Sequence, residues 1–383
     1  MAKSFKGTRK ATRKSVFRYA RSHETFTKVE VARELEISIP TVTKYLNHFV
    51  RDGLLREEGT VSVGSEGGRN PMAYSLVPQA KVAIGVDVNS SRAKIFVIDL
   101  LGQTAYQKRW TVPYERSNAY VTQLCAEILS FISECGLREE QVLGVCIAVP
   151  GLVNTETETV VYGKVIDNEG MSAADFAEHL PYPTHLLHDS AAAGIAVYSS
   201  GQLPANAFYI GLGHSIGGSI IVNGRIYLGD LDVAGEIGHM KVSKEGPRCY
   251  CGRVGCLDAH CNSRVLTDVA GPEVSDFFEQ LDAGNSVAQE TWAKYVENLA
   301  LAVHHVRLLF GCQVVLGGEV GHAMVEHLDD LYGEVDTLAF RKDDAQDFLV
   351  TSDRDADAVA MGAGLFLVNR FYEDPAMLTV TPY

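Results

Sequence analysis

Apolar residues change their spacing twice along this 383-residue chain, and the changes divide it. Over residues 10–22, Ala11, Val16 and Tyr19 or Ala20 recur at helical spacing and predict a first helix. Thr27-Lys-Val-Glu30 is a capping box, in which a hydroxyl and a carboxylate satisfy each other's unpaired amides; it opens a second helix that buries Val29, Ala32 and Leu35. Glu36-Ile37 makes a turn, and Ser38 caps a third helix with Pro40 in its first turn. Ile39, Val42, Leu46, Phe49 and Val50 form the apolar side of that helix. From Leu54 the spacing becomes that of short strands: runs at 54–63 and 74–77 flank a glycine-rich tip, Gly67-Gly68-Arg69, and read as a β-hairpin wing. Three small helices and a wing predict a winged helix-turn-helix over residues 1–77.

Past Pro78 strands and helices alternate. Runs at 82–87, 93–100 and 105–112 predict a three-stranded meander, 121–135 a helix, and Val142–Val149 a buried strand ending at Pro150-Gly151. Runs at 205–210, 218–222 and 225–228 begin a second unit in the same style. Gln313-Val-Val-Leu then runs into Gly317-Gly318, and 358–368 is a closing helix. The expected partition is a head, 1–77; a first α/β lobe, 78–200, completed by 355–375; and a second α/β lobe, 201–354.

Charge separates the head from the rest. Residues 1–56 hold thirteen Lys or Arg against five Asp or Glu, a net of +8; the whole chain is −14, which leaves −22 on the other 327 residues. A phosphate backbone attracts such a head and repels such a body. The polar side of the third helix offers Ser38, Thr41, Thr43, Lys44, Asn47 and His48, and the wing offers Arg69. These are hydrogen-bonding groups of the kind that reach base edges and phosphates in a major groove of double-stranded DNA. Small helical trios also serve as dimerisation units, but the basic charge and the wing favour DNA. No apolar run reaches the length of a membrane span, and the basic N-terminus lacks the apolar centre of a signal peptide. Eight cysteines then point to reduced thiols and a cytoplasmic protein.

The densest chemistry lies between His239 and Cys256. His239, Cys249, Cys251 and Cys256 fall within eighteen residues, among glycines at 246, 252 and 255 that let the backbone curl. Three thiolates and one imidazole are the ligand set of a closed tetrahedral zinc site. The blander reading, free cysteines of a core, does not account for Gly, Arg and Pro around them. Cys261 is a rival fourth ligand. Cys125, Cys135, Cys146 and Cys312 lie in apolar patterns and read as core.

Glu236-Ile-Gly-His239 followed by Cys249-Tyr-Cys-Gly-Arg-Val-Gly-Cys256-Leu resembles the signature of the ROK family, which joins repressors, open reading frames and sugar kinases. Leu54-Leu55-Arg56-Glu57 and Gly67-Gly68-Arg69 resemble the DNA-binding head of its repressor branch. The resemblance favours Cys256 over Cys261 as the ligand. It implies a two-lobed actin-like, ribonuclease H-like sugar-kinase fold behind the winged helix, with ligands in the interlobe cleft.

The resemblance also separates the two halves of a kinase site. Where kinases read Asp-x-Gly-Gly-Thr, this chain reads Asp87-Val88-Asn89-Ser90-Ser91, and both glycines are gone. Where they read Gly-Thr-Gly-x-Gly-Gly-Gly, it reads Gly213-His214-Ser215-Ile216-Gly217-Gly218-Ser219. Glycines in such loops let backbone amides approach phosphate, so ATP binding is expected to be lost. The sugar half is better kept. Asp189 matches the aspartate that takes the proton of the attacked hydroxyl in the kinases; here it would be a vestigial base, a hydrogen-bond acceptor for a sugar hydroxyl, or a helix N-cap. Glu236 matches the sugar carboxylate, and the outer ring nitrogen of a metal-bound His239 would face the same ligand. His188 replaces the family's asparagine, Asp258 its glutamate, and Asn154 stands in a cleft loop.

The expected protein is therefore a sugar-responsive transcriptional repressor, not an enzyme. It would be a homodimer or dimer of dimers on a pseudo-palindromic operator, holding structural zinc and a sugar or sugar-phosphate effector. Two alternatives stand beside it: an ATP-dependent sugar kinase with a DNA-binding head, favoured by Asp189, and a regulator that senses a transport protein, favoured by the departures at His188 and Asp258.

Overall fold

The structure, a computed structural model, describes residues 2–60, 70–341, 343–353 and 357–373. The head comprises α1 (Ala2–Arg21), β1 (Phe26–Thr27), α2 (Lys28–Glu34), α3 (Ile39–Arg51), β2 (Leu55–Thr60) and β3 (Met72–Leu76), the strands ordered β1-β3-β2. The capping box forms: the Thr27 amide donates to Glu30 Oε2 at 2.7 Å and the Glu30 amide to Thr27 Oγ1 at 3.4 Å. Glu36 takes a left-handed φ of 54°, which reverses the chain between α2 and α3.

Three expectations change here. The first helix begins at Ala2, not at residue 10, because a Lys- and Arg-rich segment carries helix propensity without an apolar stripe. Val31, not Val29, is the buried valine of α2; Val29 lies about 200° away around the helix and is 48 % exposed. Ser38 is the N-cap residue of α3, but its hydroxyl bonds the Thr41 hydroxyl at 2.9 Å instead of an amide. The wing tip, including Arg69, lies outside the described residues.

The body holds two five-stranded sheets of one plan. In the first, β4 (Val82–Val88), β5 (Ala93–Asp99) and β6 (Thr104–Trp110) form an antiparallel meander; α4 (Asn118–Glu134) leads to β7 (Val142–Val149), parallel to β4. A hairpin of β8 (Leu152–Asn154) and β9 (Thr159–Tyr162), then α5 (Ala173–Ala177), lead to β10 (Thr184–His188), parallel to β7, and α6 (Asp189–Tyr198) follows at once. The order is β10-β7-β4-β5-β6. The second sheet repeats the plan with β11 (Ala207–Leu212), β12 (Ile216–Val222), β13 (Arg225–Tyr227), β14 (Gln313–Gly317) and β15 (Leu349–Thr351), ordered β13-β12-β11-β14-β15. Between β13 and β15 come α7 (Leu257–Cys261), α8 (Arg264–Ala270), α9 (Val274–Asp282), α10 (Ser286–Phe310), α11 (Gly318–Ala323) and α12 (Leu328–Leu338). This duplicated meander with parallel extensions is the two-lobed sugar-kinase architecture.

The closing helix α13 (Ala358–Glu373) returns to the first sheet. Its approach to α6 is too close for side chains: a Cβ on Gly362 would stand 1.7 Å from the Ala192 carbonyl oxygen. Its far end meets the head. Phe17 of α1 stacks on Tyr372 (centroids 4.9 Å) and meets Phe371 edge-on (5.8 Å), while the Arg21 guanidinium lies 4.8 Å over the Tyr372 ring. One apolar cluster thus runs from Val16 and Phe17 into Phe371 and Tyr372, so the head is seated on the body. Among the described residues no helix is long and apolar enough to cross a membrane.

Candidate functional site

The cleft between the lobes is open to solvent, and its lining differs in chemistry from the first hairpin. At its wall, β10 ends on His188 and α6 begins on Asp189. The helix cap is His188, so Asp189 is the first residue of the helix and not its N-cap. Its carboxylate lies at the positive end of the helix and Oδ1 accepts the Ser190 amide at 2.6 Å. The His188 imidazole lies between two acids, Nε2 being 3.2 Å from Asp189 Oδ1 and Nδ1 3.9 Å from Glu236 Oε1. These three residues line the cleft together with Tyr162, Lys164 and Tyr250. Protonated, His188 can bridge the two carboxylates; neutral, it leaves one free to accept from a ligand hydroxyl.

Glu236 is held in place by the chain that follows. Residues 237–239 form a tight 3₁₀ turn against β12, where a Cβ on Gly238 would stand 2.2 Å from the Ile216 carbonyl oxygen. That turn presents His239 to the cysteine loop. The donor atoms of His239, Cys249, Cys251 and Cys256 lie within 4.8 Å of one another. Cys251 and Cys256 sulfurs stand 3.7 Å apart, as do Cys249 Sγ and His239 Nδ1. Sulfurs bound to zinc at ~2.3 Å in a tetrahedron stand about 3.8 Å apart, so the donor set and its spacing fit that ion. Cys261 points elsewhere, its thiol donating to the Tyr295 carbonyl.

Three residues expected at a sugar are placed otherwise. Nε2 of His239 meets the Tyr250 hydroxyl at 3.2 Å, and Tyr250, not His239, reaches the cleft wall. Asp258 is buried, with Oδ1 accepting the Ile216 amide at 2.8 Å and Oδ2 lying 3.9 Å from the Cys249 thiol; it ties the cysteine loop to the start of β12. Burial raises its pKa. Asn154 sits at the end of β8, its Oδ1 accepting the Thr157 amide at 2.9 Å. Tyr250 carried a sequence signal only as the residue between two ligands.

Of the two loops that would face phosphate, the first is closed by its own side chain, while Gly213, Ser215, Ile216 and Gly217 of the second line the cleft. Asn89 Oδ1 accepts the Ser91 and Arg92 amides at 3.0 and 3.1 Å, so its side chain occupies donors that a glycine would leave available. In the second loop His214 is exposed at the tip, and Ile216 gives its amide to Asp258. The glycines that survive serve packing: a Cβ on Gly217 would stand 1.9 Å from Ser190 Oγ. Beside these loops lies Asp87, at the end of β4, with its pKa pushed up to about 7, first by burial. Lys94 of β5, opposite it, is buried and pairs with Asp357 at 2.8 Å.

On the head, Lys44 and Asn47 of α3 project into solvent, three residues apart on one face. Thr43 turns its hydroxyl to the Ile39 carbonyl at 2.8 Å, and His48 lies 3.6 Å from Asp52, with burial lowering its pKa. Ile39, expected in the core, is 45 % exposed in the first turn of α3.

A sequence model of the ROK family matches residues 83–370. The N-acetylglucosamine repressor of Escherichia coli O157:H7 is 25 % identical over 335 residues, covering 81 % of this chain and 80 % of that one. The xylose repressor of Bacillus subtilis strain 168 is 20 % identical over 383 residues, 95 % of this chain and 97 % of its own. Among solved structures, a ROK family transcriptional regulator, a homolog of the E. coli MLC protein, superposes with a TM-score of 0.77 at 20 % identity over 97 % of this chain and 98 % of that one. A ROK family glucokinase from Streptomyces griseus, in complex with glucose and AMPPNP, superposes with a TM-score of 0.65 at 22 % identity over 74 % of this chain and 98 % of that one. The match to the family model spans most of the body and includes the cleft, the first hairpin and the cysteine loop: the chain belongs to the ROK family.

Proposed function

We propose that this protein is a DNA-binding transcriptional repressor of sugar-utilisation genes, controlled by a sugar or sugar phosphate in the interlobe cleft that it does not phosphorylate. The carrying observation is a contrast between the cleft and the first hairpin: Asp189, His188 and Glu236 line the cleft, while Asn89 closes the amides of its own loop. Relatives named as repressors that match nearly end to end support the same reading.

The parts then take these roles. Residues 1–77 form the winged head, with exposed Lys44 and Asn47 of α3 facing operator DNA and exposed Ile39 suited to a thymine methyl. Residues 78–200 with 355–375, and 201–354, form the two lobes. A homodimer places two heads on two half-sites. His239, Cys249, Cys251 and Cys256 hold zinc, which leaves no open position on the ion and is structural. The zinc-bound loop fixes Tyr250 and the Glu236 turn as walls of the sugar end. Asp189 begins α6, and α6 packs on α13, whose far end carries the head. A ligand that draws the lobes together therefore shifts the seat of the head, which is allostery by differential affinity of two states.

The test is thermal melting against a panel of monosaccharides and their 6-phosphates, with and without magnesium ATP, alongside operator binding. One sugar is expected to raise the midpoint and change operator affinity, with no further rise from ATP. ADP release would restore the kinase reading that Asp189 favours; a folded protein that no sugar stabilises would sink the effector assignment.

A further inference from the structure

Shortly before Glu236 the second lobe reaches across to the first. Asp232 takes a left-handed φ of 56°, and the loop that carries it is closed by the Ala234 amide, which donates to the Leu228 carbonyl at 3.0 Å. The Asp232 carboxylate meets the turn between β8 and β9. Oδ2 accepts the Thr155 amide at 2.9 Å, Oδ1 accepts the Thr155 hydroxyl at 3.0 Å, and the Asn154 side-chain amide donates to Oδ2 at 3.4 Å. Hydrogen bonds to an ionised acceptor are the stronger kind, and here several converge on one carboxylate. Both partners also carry cleft wall: β8 and β9 bring Leu152 and Tyr162, and the Asp232 loop runs on into Glu236.

The turn is held from behind as well. Glu158, left-handed at φ 49°, places Oε1 2.6 Å from Nδ1 of His185 on β10. Nε2 of the same ring lies 3.3 Å from Nη1 of Arg370 on α13. An imidazole with its proton on Nδ1 serves both neighbours, donating to Glu158 and accepting from Arg370. Phe366 meets the His185 ring edge-on at 5.7 Å, and the Arg370 guanidinium lies 5.3 Å over Phe366. Arg370 directly precedes Phe371 and Tyr372, the rings that seat the head on Phe17.

We propose that Asp232 and the β8–β9 turn form a lobe-closing clasp, and that Glu158, His185 and Arg370 pass its state to the end of α13 that seats the head. The inference rests on the reading of the protein as an effector-controlled repressor and names the contacts through which closure is felt. One loop carries both Glu236 and Asp232, so a ligand held by Glu236 and a closed clasp favour each other.

Amide hydrogen exchange on the full-length protein tests it, since exchange reads local opening. Asp232→Gly removes the carboxylate and suits the left-handed backbone. Peptides covering 153–158 should then exchange at least tenfold faster, and those covering 366–372 and 12–21 at least threefold faster. In Arg370→Met, adding Asp232→Gly should still release 153–158 and leave the seat unchanged. No change at 153–158 overturns the clasp. Release of the turn without the seat, or a seat response that persists in Arg370→Met, overturns the relay. Should Asp232→Gly fail to fold, Asp232→Asn, which also tolerates that backbone, is judged by the same criteria. Any of glucose, xylose, N-acetylglucosamine or glucose 6-phosphate that the unaltered protein binds should bind about tenfold more weakly to Asp232→Gly; equal affinity overturns the clasp. If none binds, the effector reading falls, and exchange alone decides the clasp.

Discussion

The first hairpin and the cleft differ in what their polar groups are paired with. At the hairpin the amides of residues 91 and 92 end on Asn89 and Lys94 on Asp357, and in the second loop the Ile216 amide ends on Asp258. In the cleft Asp189, His188 and Glu236 pair with one another at a wall open to solvent. Internal pairing removes a group from ligand recognition, because a ligand must then break a bond already made. Pairing at a wall leaves lone pairs for a newcomer. On the proposed reading, loss of one ligand and retention of another need no change of fold; they need a side chain such as Asn89 that completes its loop from within.

The largest effect is expected at the cysteine loop, on which the sugar end depends. Cys256→Ser should lower bound zinc from one per chain to none, measured by elemental analysis. Losing a metal-bound closure is expected to lower the thermal midpoint by about 5 °C. Sugar binding should disappear with it, since Tyr250 and the turn carrying Glu236 lose their anchor. A variant that keeps full sugar affinity without zinc would separate the loop from the cleft.

Next comes the seat of the head. Tyr372 stacks on Phe17 and under Arg21, and replacing a buried aromatic with alanine costs about 3–5 kcal/mol. Tyr372→Ala should leave sugar binding in place while abolishing its effect on operator affinity, read by titrating labelled operator with and without the sugar. Retained coupling would mean that the signal reaches DNA through dimer geometry alone.

A smaller loss is expected at Glu236. Glu236→Gln keeps the shape but removes the charge, and hydrogen bonds to charged groups contribute about 1.5–3 kcal/mol. Sugar affinity by calorimetry should fall roughly 10- to 100-fold. An unchanged value would place the ligand away from Glu236.

Much of this was legible in the sequence because periodicity and spacing are local. The capping box at Thr27 and Glu30, the strand Val142–Val149 and the four-donor cluster appear where their residue types put them. The errors share one cause. Val29 and Ile39 fit a helical stripe, but which side of a short helix is covered depends on its neighbours. Asp258 and Asn154 match family positions, but a carboxylate or an amide serves a backbone N–H as readily as a sugar, and only packing decides. Lys94 was invisible for the opposite reason. One lysine in an apolar run is unremarkable until the ladder places it opposite Asp87.

The smallest expected effect bears on which charge wins at the first hairpin. Burial raises the pKa of Asp87 from 3.8 to about 7, with Lys94 opposing. In the unfolded chain the group ionises near 4. Between those values folding takes up a proton, so the contribution of neutral Asp87 to stability is complete below about pH 4, declines as pH rises, and is gone above about 7. Asp87→Asn is a neutral mimic and carries no such decline. Its stability relative to the unaltered protein, from urea unfolding, should therefore improve between pH 5 and 7.5, by about 1–2 kcal/mol on a ceiling of about 1.4 kcal/mol per unit. A difference that stays flat would mean that Lys94 outweighs burial and keeps Asp87 ionised throughout.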